Sequence, residues 1–393
     1  MIVAASISAL GFVGLASLTQ VYGYRLGGTI AVPVLAVYTL KNAAMFPVFV
    51  LSTAIAYLGL RLLKQRTLVH GRDELVAAIL IGSLVPLSIL VTLGELVDDV
   101  FQSVVFIGSI LPGLAAYNYH QLEPETRRWD ALTALVLFGC LTVLGWLLVS
   151  PRLATTLGTL TPPALYAPTA DVATLKGVVV ETPRSPVVLP RVVMVGLFAV
   201  GVLVGEWIRS RYGVRTGVVT TALLAIYALA DGWLVVLYVV LFAATFLAIQ
   251  LVHRLTLLYG RVLVGIGAAV GVLAAVPAVW VLPITRGLSA YFVGILAGVN
   301  AYNCHVASRP ERRLFVPLQL GSFVVLLLLA RVPGAVLPRG FPRRFGVPEV
   351  AVGVAVVLAC LLLVEWRTPS SPTDRTVLDA SVRRAPDRDE RGD

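Results

Sequence analysis

The sequence predicts an all-α integral membrane protein whose helical bundle is internally duplicated. Of its 393 residues, 58% are apolar and only 13% are charged, and the mean hydropathy is +0.90. Soluble domains carry roughly 25% charged residues, because even a large domain must keep its outside hydrated. A chain with about half that charge is expected to have lipid as its surrounding solvent.

About 12–13 hydrophobic segments follow one another along the chain. A helix needs about 20 apolar residues to cross a bilayer, and helix is expected because lipid offers backbone amides no other partner. Segments of that length lie near 2–21, 43–63, 74–93, 129–149, 190–208, 232–252, 262–282, 314–331 and 349–366. Shorter apolar segments lie near 26–40, 101–118, 216–230 and 287–303.

Four short motifs occur twice in the same order, at offsets of 185 to 190 residues. The pairs are Tyr22-Gly23-Tyr24-Arg25-Leu26-Gly27 with Tyr212-Gly213-Val214-Arg215-Thr216-Gly217, Thr67-Leu68-Val69-His70-Gly71-Arg72 with Thr256-Leu257-Leu258-Tyr259-Gly260-Arg261, Ala116-Tyr117-Asn118-Tyr119-His120 with Ala301-Tyr302-Asn303-Cys304-His305, and Arg127-Arg128 with Arg312-Arg313. Because order and spacing are both kept, we interpret the chain as two copies of one membrane unit.

The repeats divide the chain into five predicted parts. Residues 1–150 and 188–335 are the two transmembrane repeats, and 151–187 form a Pro/Thr-rich linker outside the membrane. Residues 336–366 add a further loop and a final span. Residues 367–393 are polar and lack apolar periodicity, so we expect a disordered cytoplasmic tail.

The net charge of +10 is explained by membrane topology and does not predict nucleic-acid binding. In the first repeat, alternating crossings put seven basic residues on one side and only Lys41 on the other. The positive-inside rule makes the basic side cytoplasmic, so we predict a multi-pass protein of the plasma membrane with both repeats in the same orientation. Arg331, Arg339, Arg343 and Arg344 oppose this topology, since they would lie outside.

The short segments allow two interpretations. Leu26–Leu40 contains Gly27, Gly28 and Pro33, and Gly- or Pro-interrupted segments at matching places in two halves are typical of broken or re-entrant helices that line a site. Alternatively, they are tilted core helices whose glycines permit close packing, as Gly294 and Gly298 would.

Repeated polar residues beside these segments are the candidate substrate-binding residues. The set is Arg25, Arg215, Arg72, Arg261, Asn118, His120, Asn303 and His305. A guanidinium matches a carboxylate or phosphate in shape and charge. The alternatives are that the arginines only anchor the bundle at the cytoplasmic surface, and that Asn and His only satisfy the carbonyls at helix ends.

No catalytic constellation is evident in the sequence. Phosphate-binding loops, zinc motifs and nucleophile–base motifs are absent, so we expect no cofactor, no metal and no catalysis by this chain alone. Buried acids are scarce, since Glu206 and Glu365 fall at span ends, and the acidic relay of an ion-coupled pump is not found. The cysteines Cys140, Cys304 and Cys360 are expected to be small buried side chains.

Several of these segments resemble the CapC/PgsC family of poly-γ-glutamate biosynthesis membrane proteins. The resemblance rests on Gly27-Gly28-Thr29-Ile30-Ala31-Val32-Pro33, Leu68-Val69-His70-Gly71-Arg72, Ile110-Leu111-Pro112-Gly113-Leu114-Ala115 and, in the second copy, Leu258-Tyr259-Gly260-Arg261. The chain differs from the family in fusing two units, and its second copy has Ala297-Gly298 in place of Pro112-Gly113.

The resemblance implies a membrane subunit of a poly-γ-glutamate synthesis and export complex involved in capsule formation. In that family a separate ATP-dependent glutamate ligase activates the substrate, and the membrane subunit anchors it among other synthase proteins and assists passage of the anionic polymer. Two alternatives remain open at this stage: an independent secondary transporter of a small solute built on two pseudosymmetric halves, and a membrane enzyme acting on a lipid-linked substrate.

Overall fold

A computed structural model of the protein describes residues 1–68, 71, 73–83, 110–181, 189–334 and 336–368. Regular secondary structure in these ranges is helical, which confirms the predicted all-α class. Within the same ranges, eight helices are long and apolar enough to cross a bilayer. The chain is therefore a multi-pass helical membrane protein.

The described residues of the first half contain six helices. They are α1 (Ile2–Tyr22), α2 (Ala31–Lys41), α3 (Met45–Arg66), α4 (described over 73–83), α5 (Ile110–His120) and α6 (Pro124–Leu148). The predicted spans at 2–21, 43–63 and 129–149 are confirmed as α1, α3 and α6. The segments predicted at 74–93 and 101–118 extend into 84–109, which lies outside the described residues.

Two short helices, α7 (Pro151–Leu160) and α8 (Asp171–Leu175), lie between the halves. The second half then contains α9 (Arg191–Tyr212), α10 (Val218–Ala230), α11 (Trp233–Thr256), α12 (Arg261–Val281), α13 (Gly287–Val306) and α14 (Arg309–Arg331), and α15 (Val347–Arg367) follows. All five spans predicted after residue 188 coincide with long helices of this set. The predicted tail lies outside the described residues beyond 368.

The short segments differ from one another in the structure. Residues 26–40 and 216–230 form the short helices α2 and α10, each preceded by non-helical chain on the side of Arg25 or Arg215. Residues 287–303, in contrast, belong to one continuous helix, α13, of 20 residues. The broken-helix interpretation is therefore wrong for α13, because its glycines serve close packing.

Glycines bring α12 and α13 into backbone contact. A Cβ on Gly298 would overlap the Gly267 carbonyl group, and a Cβ on Gly271 would overlap the carbonyl group of Gly294. On its other side α12 packs along α1, where Gly265 lies against the backbone of Phe12. Helix α12 thus lies between its own half and the first half, and small residues permit this approach where larger side chains would separate the helices.

Corresponding helices pack in corresponding ways in the two halves. Helix α3 contacts α5 as α11 contacts α13, and α2 contacts α6 as α10 contacts α14. Gly82 of α4 lies against Gly113 of α5, at positions that the repeat offsets relate to Gly271 and Gly298. This packing agrees with an internal duplication. The duplication itself stays a prediction from the repeated sequence motifs.

Residues 161–181 fold against one end of the bundle. The amino group of Met1 donates to the Pro162 carbonyl (3.0 Å), and Trp280 Nε1 donates to the Leu160 carbonyl (2.7 Å). Tyr166 is buried and donates to the Leu148 carbonyl (2.8 Å). The predicted linker therefore covers the end of the bundle at which α1 begins and α6 and α12 finish.

The basic end of the bundle is the opposite one, where α1 finishes and α6 and α12 begin, and Arg25, Arg127, Arg261 and Arg312 lie there. Arg339, in contrast, donates to the Pro283 carbonyl (2.8 Å) at the linker end. The four arginines of the basic end thus lie on one side of the bundle, as the alternating topology requires. Arg339 lies at the other end, on the side predicted to be outside.

The three cysteines are free. Cys304 and Cys360 are buried as expected, whereas the expectation for Cys140 is wrong, because α6 is a peripheral helix and exposes this side chain.

We expect Gly298→Val to destabilise the fold, since the new side chain would force α13 away from the Gly267 carbonyl. Overpacking of this kind costs about 1–3 kcal/mol, which a thermal unfolding measurement on the purified protein in detergent would detect. Gly139→Val on α6 is the matched control, because nothing lies within 4 Å of a Cβ at Gly139. Equal unfolding temperatures for both variants would contradict the proposed close contact.

Candidate anion site at the basic end

The turn between α1 and α2 holds an unusual run of backbone conformations. Gly23 ends α1 in the left-handed region (φ 70°), and Leu26, Gly27 and Gly28 all have positive φ, at 48°, 66° and 120°. At φ 120° a residue with a side chain would be strained. A Cβ on Gly28 would in addition press against Asn118 and Leu114 of α5 (both 3.1 Å).

Asp130 of α6 fixes this turn. Its Oδ1 accepts hydrogen bonds from the backbone N–H groups of Arg25 (2.6 Å) and Leu26 (2.9 Å). The side chain is fully buried, and Oδ2 has no hydrogen-bond partner within the described part of the chain. The carboxylate thus satisfies two amides that no helix satisfies, and one of its oxygens remains available.

The second half brings a cation to the same place. Arg261, the first residue of α12, interacts electrostatically with Arg25, Tyr117 and Asp130. Both arginines are half-buried. Among the described residues, neither guanidinium has a carboxylate oxygen within 4.0 Å. We call Arg25, Gly27, Gly28, Asn118, Asp130 and Arg261 the junction site, because it joins the two halves.

Asn118 lies within the junction site, and its amide donates to the Leu114 carbonyl one turn earlier in α5 (2.9 Å). It is 3% exposed. The contact agrees with the alternative in which this residue serves a helix carbonyl, and at the same time it places the amide against the Gly28 turn.

His120 lies in a neighbouring polar cluster. Its ring stacks on Tyr57 of α3 (4.2 Å between centroids), and its Nε2 donates to the Tyr57 carbonyl (3.0 Å). Arg127 donates to the Tyr57 hydroxyl (3.2 Å) and to the Leu122 carbonyl (2.9 Å). These contacts hold α3, α5 and α6 together, so His120 has a structural role in helix packing.

The second half repeats this cluster with different side chains. His305 meets Phe246 edge-on (6.4 Å) and His253 (5.0 Å). Arg312 donates to the carbonyls of His305 (2.6 Å) and Ala307 (3.1 Å). In both halves, therefore, the repeated arginine satisfies carbonyls at the end of α5 or α13, a role that the sequence analysis assigned to Asn and His.

Arg215 does not have the surroundings of Arg25. It is exposed, and its described electrostatic neighbour is Tyr302. The position that corresponds to Asp130 by the offset of 185 is Phe315, which is buried. Asn303 is half-buried, and Arg72 lies outside the described residues. The described second half thus lacks the buried carboxylate that holds the first turn.

The second half has a buried amide network instead. Asn300 donates to the hydroxyls of Thr220 and Tyr238 (2.6 Å each), and Gln319 donates to Tyr238 (2.9 Å). The Asn300 side-chain oxygen lies where a Cβ on Gly217 would be, so Gly217 is required at the start of α10. The network ties α10, α11, α13 and α14 together.

Sequence reasoning missed three buried acids: Asp130, Glu74 (2% exposed) and Asp231 (1% exposed). Glu74 accepts from Lys64 (3.0 Å) and Gln121 (3.1 Å). Burial raises the pKa of the Asp231 carboxyl, and its hydrogen bond from the Trp233 amide acts against this rise. For Asp130 a signal was available in the sequence: it is the second residue of the predicted span 129–149, and an acid within a membrane span indicates a functional site by default.

The fold and the junction site define a multi-pass membrane protein with two half-buried arginines where its two halves meet. Residues 10–128 match the family described as Capsule biosynthesis CapC. This match confirms the predicted family for residues 10–128, and that family implies a membrane component of capsule biosynthesis. No curated protein and no solved structure matches the chain. Arg25, Asn118 and His120 lie inside the matched region, whereas Asp130 and Arg261 lie beyond it.

We expect Asp130→Ala to open the Gly27-Gly28 turn, because two backbone N–H groups lose their acceptor. Hydrogen bonds to a charged group contribute about 1.5–3 kcal/mol each. The variant should unfold at a lower temperature and be cleaved faster by trypsin after Arg25, as mass spectrometry of the fragments would reveal. Asp130→Asn keeps an acceptor oxygen and should resemble the wild type. Equal cleavage of all three proteins would disprove the anchoring role.

Proposed function

We propose that the protein is the membrane subunit of a poly-γ-glutamate synthesis and export complex, which anchors a separate ATP-dependent amide ligase and assists passage of the anionic polymer. The observation that supports this most directly is the pair of half-buried guanidiniums, Arg25 and Arg261, that interact electrostatically at the junction of the two halves. A chain of carboxylates is the kind of substrate that such a pair would bind.

The charge balance of the junction site favours an anion. The site contains two guanidiniums and only one carboxylate, and Oδ1 of that carboxylate already accepts hydrogen bonds from backbone amides. Like charges held close together in a partly buried site repel each other until an anion neutralises them. Bidentate hydrogen bonds from arginine to a carboxylate are charge-assisted, and they are roughly twice as strong as neutral ones.

Glycine lets a polymer approach the backbone at the same place. With hydrogen in place of side chains, Gly27 and Gly28 leave the turn before α2 narrow, and the first residues of α2 have no side-chain cap. Helix N-termini favour negative charge. Together with Arg25 and Arg261, this arrangement would hold successive carboxylates of a γ-linked chain.

Anchoring of a ligase is supported by an apolar surface at the basic end. Leu255, Leu257 and Tyr259, where α11 joins α12, are 74%, 74% and 81% exposed. Leu257 has a positive φ of 55°, which turns the chain sharply at this point. Since the sequence has no nucleotide-binding motif, activation of glutamate requires a second protein, and we assign this surface to it.

We expect the double variant Arg25→Gln with Arg261→Gln to lower the yield of cell-surface polymer by about fivefold or more, since even one lost kcal/mol of binding changes an equilibrium about fivefold. Polymer would be quantified after expression of the complete synthase. Arg254→Gln with Arg309→Gln removes two exposed charges from the same end and should leave the yield unchanged. Wild-type yield from the Arg25/Arg261 variant would remove the junction site from the proposal.

A tagged chain should retain an ATP-dependent amide ligase after gentle solubilisation. Replacing Leu255, Leu257 and Tyr259 together with Ser should release the ligase, because apolar contact area is lost. Val347→Ser with Leu175→Ser, which are also highly exposed, is the matched control and should still retain it. If no ligase is retained and the purified chain alone moves a small solute into liposomes, the secondary-transporter alternative is correct.

A further inference from the structure

A groove between α14 and α15 opens at the basic end. Its cavity volume is about 510 Å³. The walls are apolar along their length, and the lining side chains there are Val316, Leu320, Val356, Ala359 and Leu363. Three arginines, Arg312, Arg313 and Arg367, line its mouth.

The groove follows from how α15 packs. The two helices approach closely where Gly321 lies against Cys360 and Gly353 lies against Leu328. Toward the basic end, bulkier side chains and Pro317 occupy the facing surfaces. The helices therefore separate there and leave an apolar slot with a cationic opening.

The arginines at the mouth differ in their availability. Arg312 is engaged with the carbonyls at the end of α13. Arg313 and Arg367 are exposed, and in the described ranges no carboxylate lies within 4.0 Å of either guanidinium. Arg367 donates to the backbone carbonyl of Arg313 (3.2 Å), which fixes the Arg367 guanidinium against the α14 backbone at Arg313.

We propose that this groove binds an anionic phospholipid, with the phosphodiester on Arg313 and Arg367 and one acyl chain in the slot. Basic pockets between transmembrane helices on the cytoplasmic side bind anionic headgroups. Exposed Trp366, next to Arg367, is placed as an aromatic residue of the membrane interface. The lipid would join α15, which contacts chiefly α14, to the rest of the bundle.

The test is native mass spectrometry of the full chain purified in mild detergent, with phosphatidylglycerol or phosphatidylcholine added in equal amounts. We expect the wild type to retain phosphatidylglycerol preferentially, and Arg313→Gln with Arg367→Gln to reduce this preference roughly tenfold. The control, Arg128→Gln with Arg254→Gln, removes two exposed charges from the same end and should keep it.

A second variant tests the apolar part of the site. Ala359→Trp fills the slot and should abolish retention of the lipid while the arginines remain. Equal retention of both lipids by the wild type, or an unchanged preference in the Arg313/Arg367 variant, would overturn the proposal. Displacement of the lipid by millimolar inorganic phosphate, with Ala359→Trp behaving as the wild type, would instead identify a site for a free anion and would also overturn it.

Discussion

The close approach of α12 to its neighbours is the contact on which the rest of the structure depends. In lipid, apolar side chains gain little by leaving one apolar environment for another, so helices associate through tight packing and hydrogen bonds. Gly267 and Gly271 give α12 that contact with α13, and Gly265 gives it the contact with α1. Because α12 belongs to the second half and α1 to the first, the same packing joins the halves and brings Arg261 to Arg25.

The junction site is a consequence of this arrangement combined with one buried carboxylate. Asp130 lies on α6, and its side chain accepts two hydrogen bonds from the backbone of the turn after α1. The turn is thereby held in a conformation that its glycines permit, and the Arg25 backbone is held beside Asp130. The site therefore combines three separate parts of the chain: the turn after α1, Asp130 of α6 and Arg261 of α12.

The two halves are alike in their packing and unlike in their polar interiors. Corresponding helices contact each other in the same pairs, and Arg127 and Arg312 satisfy corresponding carbonyls. The first half, however, keeps a carboxylate beside its glycine turn, while the second has Phe315 at that position and an Asn300 network nearby. A scaffold shared by both halves thus has its charged site in the first half, with the second contributing Arg261.

The sequence by itself determined the class, the helices and the family, because these depend on local properties: apolar length, glycine and proline positions, and short motifs. Long helices such as α1 and α11 were predictable within a few residues, since their ends coincide with the loss of apolar character. Only the tertiary structure decided that Arg25 meets Arg261, that Asp130 holds the intervening turn, and that Arg127 and Arg312 cap the helices. The first two facts depend on which helices are neighbours, and contacts between residues more than 100 positions apart leave no periodic trace in one sequence; the capping contacts are local, but they depend on how each arginine side chain folds back.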